Sequence, residues 1–573
     1  MTRVSRACTL RNLVARALSP QGILTLGVVL FFGALVLYPF VFLGQVALNT
    51  GDPQARPPQE YGLGNFTGLL QNPKILGNTI YVAILATALA VVFGFANAWI
   101  LFRTCLPGRR VLEQLIAFPY YLTPLVGALA WSVLASPRRG FLNQAWYALG
   151  GVRPLLNINT PLGIAWVMAL FEGTVAFVMI AAAMKSMDPS LEEVSHVLGA
   201  SKLRTLTRVT LPMVAPAIVG TAIFVFAELL GSFSAPLILG SPARFYVVTT
   251  AIWELAMRFP PDYPLAAAMG LSLSLVMLGT MYVYRRIVTS RSYVTITGKA
   301  FRPRRMEMGR LTWPLFGAVS VYVLLAAVLP VLTLLWVSFQ RLASPSLRNG
   351  VWTLNNYATA LGMGPVRAAI GNSLVLGFAT ATLGTLLMGL LAWIIYRSRL
   401  PGRSLVEYVV MFPAAVPRMV LALGMLWAWT VFPIPIYGTL WLLLLAYLTV
   451  FLPLGVRTIA GVILQLDRSV EECARVCGAS WLYQLRTVTV PLLRPGLSAA
   501  WMLLFIASAR ELGTSILLTG PDSKVIAPAI VDAWSSSGTE ITAAMALIQT
   551  ALVGAAWCAL LGFTRRVVGV GTD

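Results

Sequence analysis

Charged side chains are scarce in this 573-residue chain: they make up 11% of the residues, whereas 58% are hydrophobic and the mean hydropathy is +0.80. Soluble globular proteins typically contain about 25% charged and about 45–50% apolar residues. The chain therefore lacks the polar surface that a soluble protein of this size needs. We expect its apolar excess to face lipid.

Histidine and cysteine, which supply most zinc ligands, are also scarce: the chain has one histidine and five cysteines. The cysteines show neither a paired extracellular pattern nor zinc-ligand spacing. Lys and Arg number 42 against 20 acidic residues, which gives a formal net charge of +22. These cations cluster between apolar runs, where they set membrane topology rather than bind nucleic acid. We therefore expect no metal site, no bound cofactor and no nucleic-acid partner.

The sequence also lacks the Gly-x-x-x-x-Gly-Lys-Ser/Thr segment that cradles nucleotide phosphates. Its one Gly-Lys dipeptide, Gly298-Lys299, is followed by Ala300 and has no upstream glycine at the required spacing. We find no set of catalytic residues. We therefore expect that the chain is not an enzyme, and that any ATP and Mg²⁺ are used by a partner.

Long apolar runs dominate the sequence instead, and several exceed the roughly 18 residues that indicate a membrane-spanning helix. A bilayer core admits only helices or closed barrels, and these runs are continuous rather than alternating. The pattern predicts an all-α polytopic membrane protein with about 12 transmembrane helices in two parallel six-helix repeats. The predicted spans are 23–47, 77–102, 112–135, 161–184, 213–238, 264–286, 312–339, 369–396, 405–430, 437–460, 495–518 and 541–563.

The chain consists of two matched halves. Asn78 pairs with Asn372 in a block that repeats without a gap at an offset of 294 residues. A second block begins at Asp188 and again at Asp467, an offset of 279. The first half therefore carries about 15 extra residues, which we assign to an external loop at 136–160. We divide the chain into a first repeat at 1–290, a basic cytoplasmic linker at 291–311 and a second repeat at 312–573.

Basic residues determine the expected orientation. Placing the N-terminus in the cytoplasm puts about 29 of the 42 Lys and Arg on the cytoplasmic side, as the positive-inside rule requires. The N-terminal apolar run follows several arginines, and we expect it to be retained as the first span rather than cleaved. The sequence thus predicts a multi-pass protein of a bacterial inner membrane with cytoplasmic N- and C-termini.

The block that repeats at 186–212 and 465–491 is the most informative feature. In each copy an aspartate can cap a short helix whose first turn holds two glutamates, and a glycine then ends that helix. A second short amphipathic segment follows, and we expect a proline to close it before the next span. The residues are Glu192, Glu193, Gly199, Ala200, Ser201 and Pro212 in the first copy, and Glu471, Glu472, Gly478, Ala479, Ser480 and Pro491 in the second.

This block resembles the EAA motif of binding-protein-dependent ABC importers, whose coupling helices receive the ATPase subunits. The glycine, the proline and their spacing match that motif, although its acidic-Ala-Ala core reads Glu193-Val194-Ser195 in the first copy. The resemblance implies a fused permease with cytoplasmic coupling helices. It further implies two copies of a cytoplasmic ABC ATPase and a periplasmic or lipid-anchored solute-binding protein as partners, with membrane lipid around the spans. A merely solvated loop between helices is the alternative.

Within this class, the stretches 230–236, 260–263 and 510–512 are similar to the Fe(III)-type permeases, which include thiamine and aminoethylphosphonate relatives. The resemblance implies ferric iron as the solute, with thiamine, aminoethylphosphonate or a polyamine as alternatives in the same class. An ion-coupled secondary transporter built from parallel repeats is the rival class. It would need coupling-ion carboxylates within the spans, and such carboxylates are scarce here.

Charges inside predicted spans are costly and therefore mark candidate sites. Glu228 in the fifth span and Arg510-Glu511 in the eleventh lie at roughly equivalent places after the repeated block, and Gly231 and Ser232 follow Glu228 closely. We interpret these five residues as lining or gating the solute pathway. The alternative is a structural ion pair between the halves.

Overall fold

The computed structural model describes residues 20–53, 60–71, 73–188, 190–290, 306–344, 351–398, 403–431, 434–467 and 469–568. The predicted basic N-terminal stretch and linker residues 291–305 lie outside these ranges. Within them the chain is helical, and its β-type pairing is limited to isolated bridges such as Asn49 with Tyr61. The predicted all-α fold is confirmed.

The helices of the first repeat, in chain order, are α1 (Pro20–Ala47), α2 (Gly64–Gln71), α3 (Pro73–Arg103), α4 (Arg109–Ala117), α5 (Pro124–Ala135), α6 (Phe141–Ala148), α7 (Pro161–Ser186), α8 (Ser190–Val197), α9 (Lys202–Leu230), α10 (Val248–Met257) and α11 (Tyr263–Ser290). Those of the second repeat are α12 (Gly309–Ser338), α13 (Asn355–Gly362), α14 (Gly364–Tyr396), α15 (Arg403–Met411), α16 (Arg418–Val431), α17 (Leu440–Val450), α18 (Leu452–Ile463), α19 (Ser469–Val476), α20 (Leu482–Ala509), α21 (Ser515–Leu518), α22 (Ile526–Ser536) and α23 (Thr539–Val568).

Nine helices in the described ranges are long and apolar enough to cross a membrane by themselves. Three further helix pairs pass only if each is counted as one bent span: α4 with α5 at 94°, α15 with α16 at 108°, and α17 with α18 at 49°. Counting each pair once gives up to 12 spans, in agreement with the predicted number. The sequence did not predict the bends.

The two sharpest bends lie at matched positions in the two repeats and have a local cause. Pro119 follows α4, and the Thr123 hydroxyl then accepts the Val126 backbone N–H at 3.0 Å to begin a new helix. In the second repeat Pro413 and Pro417 stand between α15 and α16. Proline has no backbone N–H and excludes the helical conformation for the residue before it, so the helix ends and restarts in a new direction.

Each repeat contributes its first span to the compact unit that holds the other repeat's central helices. In one unit, α1 packs against α16, α15 and α17 of the second repeat. In the other unit, α12 packs against α3, α4 and α5 of the first repeat. The compact units therefore do not follow the sequence repeats at their first spans.

Small residues bring the central helices of the first repeat together. The most extensive helix contact in this unit is between α3 and α7, where a Cβ placed on Gly94 would lie 2.6 Å from the Ala176 Cβ. A side chain larger than hydrogen at Gly94 would therefore push the two backbones apart. Small residues serve this purpose in membrane helices because close backbone approach is their main source of association energy.

Candidate functional site

The first repeated block forms the helix that its sequence predicts. The Asp188 Oδ1 accepts the Ser190 backbone N–H at 2.9 Å, and α8 follows with Glu192 and Glu193 in its first turn. The helix ends at Gly199, whose φ is +78°, and the Ala200 N–H closes the end on the Ser195 carbonyl at 3.0 Å. This left-handed glycine termination is a common way for a helix to end.

The second block repeats this geometry. Asp467 Oδ1 accepts the Ser469 N–H at 2.9 Å, Gly478 has a φ of +81°, and the Ala479 N–H bonds to the Ala474 carbonyl at 3.0 Å. No heavy atom lies within 4 Å of a Cβ built on Gly199 or Gly478. Backbone conformation, and not lack of space, therefore favours glycine at both places.

The two prolines of the blocks do not close a segment, and this part of the sequence prediction was wrong. Ser201 and Ser480 cap a new helix in each block, and that helix continues past Pro212 or Pro491 into the following span. The helix contains one wide π turn just before the proline, at Leu206–Thr210 and at Leu485–Thr489. Such a turn shifts the hydrogen-bond register, so a residue without an N–H fits without breaking the helix.

The two glutamates of the first block have different environments. Glu193 is exposed, whereas the Glu192 side chain is only 7% exposed. The Glu192 Oε1 accepts the Thr210 hydroxyl at 2.6 Å and lies 3.4 Å from the Nε of Arg103, whose side chain is 3% exposed. Glu192 therefore ties α8 to the wide turn of α9 and to the end of α3. Of this pair, only Glu193 has a carboxylate at the surface for a partner.

The second block has a weaker version of this tie. Its glutamate Glu471 is half-buried and lies 3.4 Å from the Thr489 hydroxyl. Arg397, at the end of α14, donates to the Ile463 carbonyl at 2.9 Å. Glu472 is exposed, like Glu193 in the first block.

Sequence reasoning did not single out the arginine that ends the second span of each repeat. Arg103 donates to the Met184 carbonyl at 3.0 Å, as Arg397 donates to the Ile463 carbonyl, so each arginine holds the C-terminal end of the fourth span. A cation at the C-terminal end of a helix also interacts favourably with the helix dipole. Their equal position in the 294-residue repeat was the signal that could have identified them.

The glycine turn of each block carries a patch of exposed apolar side chains. Val197, Leu198 and Leu203 of the first block are 86%, 81% and 70% exposed. Val476, Leu482 and Tyr483 of the second are similarly exposed. We call these two groups the apolar patches. Within each patch, small and polar residues lie between the apolar ones along the chain and are half-exposed or exposed. They are Ala200 and Ser201 in the first patch and Ala479 and Ser480 in the second. The side chain of His196 is not among those described.

The end of the inter-repeat linker touches the first block. The Met306 N–H bonds to the Arg103 carbonyl at 2.9 Å, and the Cys105 N–H bonds to the Met306 carbonyl at 3.1 Å. The Lys202 ammonium donates to the Glu307 carbonyl. The described end of the linker therefore runs from this contact with the first block into α12.

The span that follows each block is interrupted, which changes the predicted bounds of 213–238 and 495–518. The helix α9 begins earlier than predicted, at Lys202, and stops at Leu230, and α20 stops at Ala509. Short helical turns resume at Pro236–Gly240 and at Ser515–Leu518. The matched ends keep the offset of 279, so Gly231 and Ser232 correspond to Arg510 and Glu511.

The sequence suggested that Glu228 and Glu511 occupy roughly equivalent places, but the two residues do not correspond. It lies in the last turn of α9 and is exposed, whereas Glu511 follows the end of α20 and is buried. The carboxylate of Glu511 lies 2.9 Å from the Nη1 of Arg418, the first residue of α16, and its Oε1 accepts the backbone N–H of Thr514 at 3.0 Å. The side chains of Glu511 and Arg418 are 1% and 47% exposed.

In the first repeat, a serine and a proline occupy the corresponding positions. Ser232 and Pro124, the counterparts of Glu511 and Arg418, line a cavity of about 30 Å³ together with the half-buried Glu172. The Ser232 carbonyl accepts the Thr249 hydroxyl at 2.6 Å. At both interruptions, therefore, side chains satisfy backbone groups that the broken helix leaves open. Irregular backbone at membrane depth occurs where protein or a polar cavity surrounds it.

No three His, Cys, Asp or Glu side chains lie close enough together to hold a metal ion in the described part of the chain. Charged groups at the two interruptions include the Arg418–Glu511 pair, the half-buried Arg510 and the carboxylates of Glu172 and Glu228. Charges within membrane spans are expensive and usually mark a substrate or ion pathway. Discontinuous helices are a further feature of transporter binding sites.

Comparison with known proteins finds a family that is similar to part of the chain. Residues 90–293, which include α8, α9 and the first interruption, match the family described as "Binding-protein-dependent transport system inner membrane component". The match lies almost wholly within the first repeat. The permease is thus a membrane transport subunit and not an enzyme, as its sequence predicted.

Relatives extend the similarity over both repeats of the permease. It is 26% identical to the ferric transport system permease protein FbpB of Actinobacillus pleuropneumoniae, over 87% of this chain and 72% of that protein. It is 27% identical to the probable ABC transporter permease protein y4fN of Sinorhizobium fredii, over 86% and 87%. A crystal structure of a bacterial alginate ABC transporter in complex with its pentasaccharide-bound periplasmic protein aligns with 50% of this chain and 95% of its own, at 19% identity and a TM-score of 0.38.

Proposed function

We propose that this permease forms the solute pathway of an ABC importer for ferric iron in a bacterial inner membrane. In this proposal two copies of a cytoplasmic ABC ATPase dock on residues 186–212 and 465–491. An extracytoplasmic solute-binding protein delivers the solute on the opposite side. The N- and C-termini are cytoplasmic, as the distribution of Lys and Arg indicates.

The paired apolar patches are the observation that carries this proposal. Both lie on short polar segments beside a left-handed glycine, and both are repeated with the same backbone geometry. Exposed apolar groups of this kind, rimmed by polar residues, indicate protein contact. Two equal patches fit two equal partners. Glu193 and Glu472, exposed in the first turns of α8 and α19, supply a negative charge beside each patch.

The direct connection between block and span supports coupling. A force applied at Ser201 acts on α9 at its first turn, because the helix runs without a loop to Leu230. The interruption that follows places Gly231 and Ser232 at the end of this helix, and α20 does the same for Arg510 and Glu511. We propose that these four residues, with Glu228 one turn earlier, line or gate the solute pathway. Movement of α9 and α20 would then open and close it.

The choice of ferric iron rests on the relatives. The Actinobacillus protein, similar over most of the chain, is a ferric transport permease by name. The pathway residues can offer carboxylate and hydroxyl oxygens, which are ligands suited to hard cations. Thiamine, aminoethylphosphonate and polyamines are the other solutes to test.

The test is reconstitution. The permease would be purified with the ATPase and solute-binding protein encoded beside it and placed in liposomes with ATP inside. Radiolabelled ferric iron, thiamine, aminoethylphosphonate and spermidine would be offered in parallel, with ADP as the control. We expect ATP-dependent uptake of iron alone. Uptake of another solute would replace iron, and uptake driven by an ion gradient without ATP would refute the importer assignment.

A further inference from the structure

The segment between α5 and α7, residues 136–160, has a fixed internal structure. We call it the insert loop because it contains the residues that the second repeat lacks. Asn143 is fully buried at its centre: its Nδ2 donates to the Ser136 and Leu156 carbonyls at 2.9 and 2.7 Å, and its Oδ1 accepts the Leu156 N–H at 2.9 Å. The Ile158 N–H bonds to the Ala135 carbonyl at 3.1 Å. The predicted loop thus includes the helix α6 and is braced from both ends.

This braced loop presents apolar side chains to solvent. Leu149, Val152 and Leu155 are 83%, 93% and 58% exposed, within seven residues of sequence. Single exposed apolar residues are normal at a protein surface, but a group held out by a rigid scaffold indicates an interaction site. Rigidity also reduces the entropy that a partner must overcome on binding.

Positive charge surrounds the exposed group. Arg138, Arg139 and Arg153 are all exposed, and residues 136–160 contain no Asp or Glu. A partner surface with carboxylates around an apolar centre would match this pattern. Such charge complementarity raises association rates and excludes partners of the wrong sign.

Backbone structure indicates a protein rather than lipid as the partner. Residues 149–157 form turns and irregular backbone, not a helix. Irregular backbone cannot sink into hydrocarbon, because its N–H and C=O groups would lose water without gaining partners. The exposed apolar side chains in this stretch therefore need a water-soluble surface to cover them.

We propose that the insert loop is the docking surface for the extracytoplasmic solute-binding protein, and that Leu149, Val152 and the three arginines are its main contacts. This inference rests on the proposed importer function and its topology. The matched family depends on a binding protein, so a partner of this kind belongs to the transport system. Because the second repeat lacks the extra residues, the receptor is held mainly on the first repeat and docks in one orientation.

The inference is tested by binding. The permease–ATPase complex would be placed in lipid nanodiscs, and the affinity of the iron-loaded solute-binding protein encoded beside it would be measured at 50 and 300 mM salt. The first variant is L149S/V152S, and the second is R138S/R139S/R153S. The matched control is V351S/L354S, which removes two apolar side chains of comparable exposure that precede and begin the α13 region, on the same predicted side of the membrane.

We expect L149S/V152S to raise the dissociation constant at least tenfold, and the arginine variant to raise it and to weaken its salt dependence. The control should stay within twofold of wild type, and basal ATP hydrolysis should be unchanged in all three. Affinities within twofold of wild type for both insert-loop variants would overturn the inference. If wild-type complex itself fails to bind the receptor, the importer function fails and this inference with it.

Discussion

Replacing Glu192 with Gln should loosen the first repeated block. The change removes the charge that faces Arg103 at 3.4 Å while keeping an acceptor for the Thr210 hydroxyl at nearly the same place. Removing one partner of a fully buried ion pair costs about 3–5 kcal/mol. Because Arg103 keeps its bond to the Met184 carbonyl, we expect a smaller loss of stability, of about 2–3 kcal/mol.

Hydrogen–deuterium exchange of the reconstituted complex measures this loss directly. If α8 opens locally, a loss of about 2–3 kcal/mol speeds exchange of its amides by about 30- to 150-fold. The matched control is Glu471→Gln, whose carboxylate is half-buried and lies 3.4 Å from Thr489, so exchange of α19 should rise by less than about fivefold.

A double-mutant cycle with Arg103→Gln separates the ion pair from other effects. If the charges interact, the sum of the free-energy losses of the two single variants should exceed the loss in the double variant by about 1 kcal/mol or more, as for residues in contact. Equal exchange of α8 in Glu192→Gln and of α19 in Glu471→Gln would refute the reasoning. So would strict additivity in the cycle.

Three further predictions concern the blocks, the topology and the pathway. The double variant G199V/G478V should lose receptor-stimulated ATP hydrolysis and uptake, because a side chain at a φ near +80° costs about 1–2 kcal/mol per site. The control G199N/G478N should keep most of both activities. Equal coupling in the two variants would contradict the glycine assignment. Single cysteines at 136–160 should react with impermeant reagents from outside, and cysteines at 291–310 only after the membrane is opened; reversed labelling would invert the topology. Glu511→Gln should lower uptake by about tenfold or more, because it leaves Arg418 facing a neutral group, and assembly with the ATPase should be unaffected. Glu228→Gln should lower uptake less. Wild-type uptake in both variants would show that neither carboxylate takes part in transport.

Much of the structure of each repeated block was predictable because its determinants are local. Asp188, the glutamates and Gly199 act within a few residues of one another, so their spacing specified the cap, the helix and its end. The path of the chain after the glycine was not predictable in this way. A proline normally indicates a helix boundary, and the amino-acid sequence does not show that a wide π turn would accommodate Pro212.

Burial of the site residues depended on distant parts of the chain. Glu192 and Glu193 are adjacent and identical in type, and only the position of Arg103 at the end of another helix distinguishes them. Likewise, Glu511 looked equivalent to Glu228 until the common end of α9 and α20 set the register. The exchange of first spans between the repeats has no signature in hydropathy, since α1 and α12 are apolar around their whole circumference in either arrangement.

The uninterrupted helices α9 and α20 have a mechanical consequence. They contain 29 and 28 residues, so at 1.5 Å per residue each is about 40 Å long. If such a helix pivots near its middle as one body, its two ends move by similar distances in opposite directions. An inward step of a few ångströms by an ATPase would thus become an outward step of similar size at Gly231 or Arg510. Because the two helices differ in length by a single residue, we expect the displacement at the far end to be the same in both repeats.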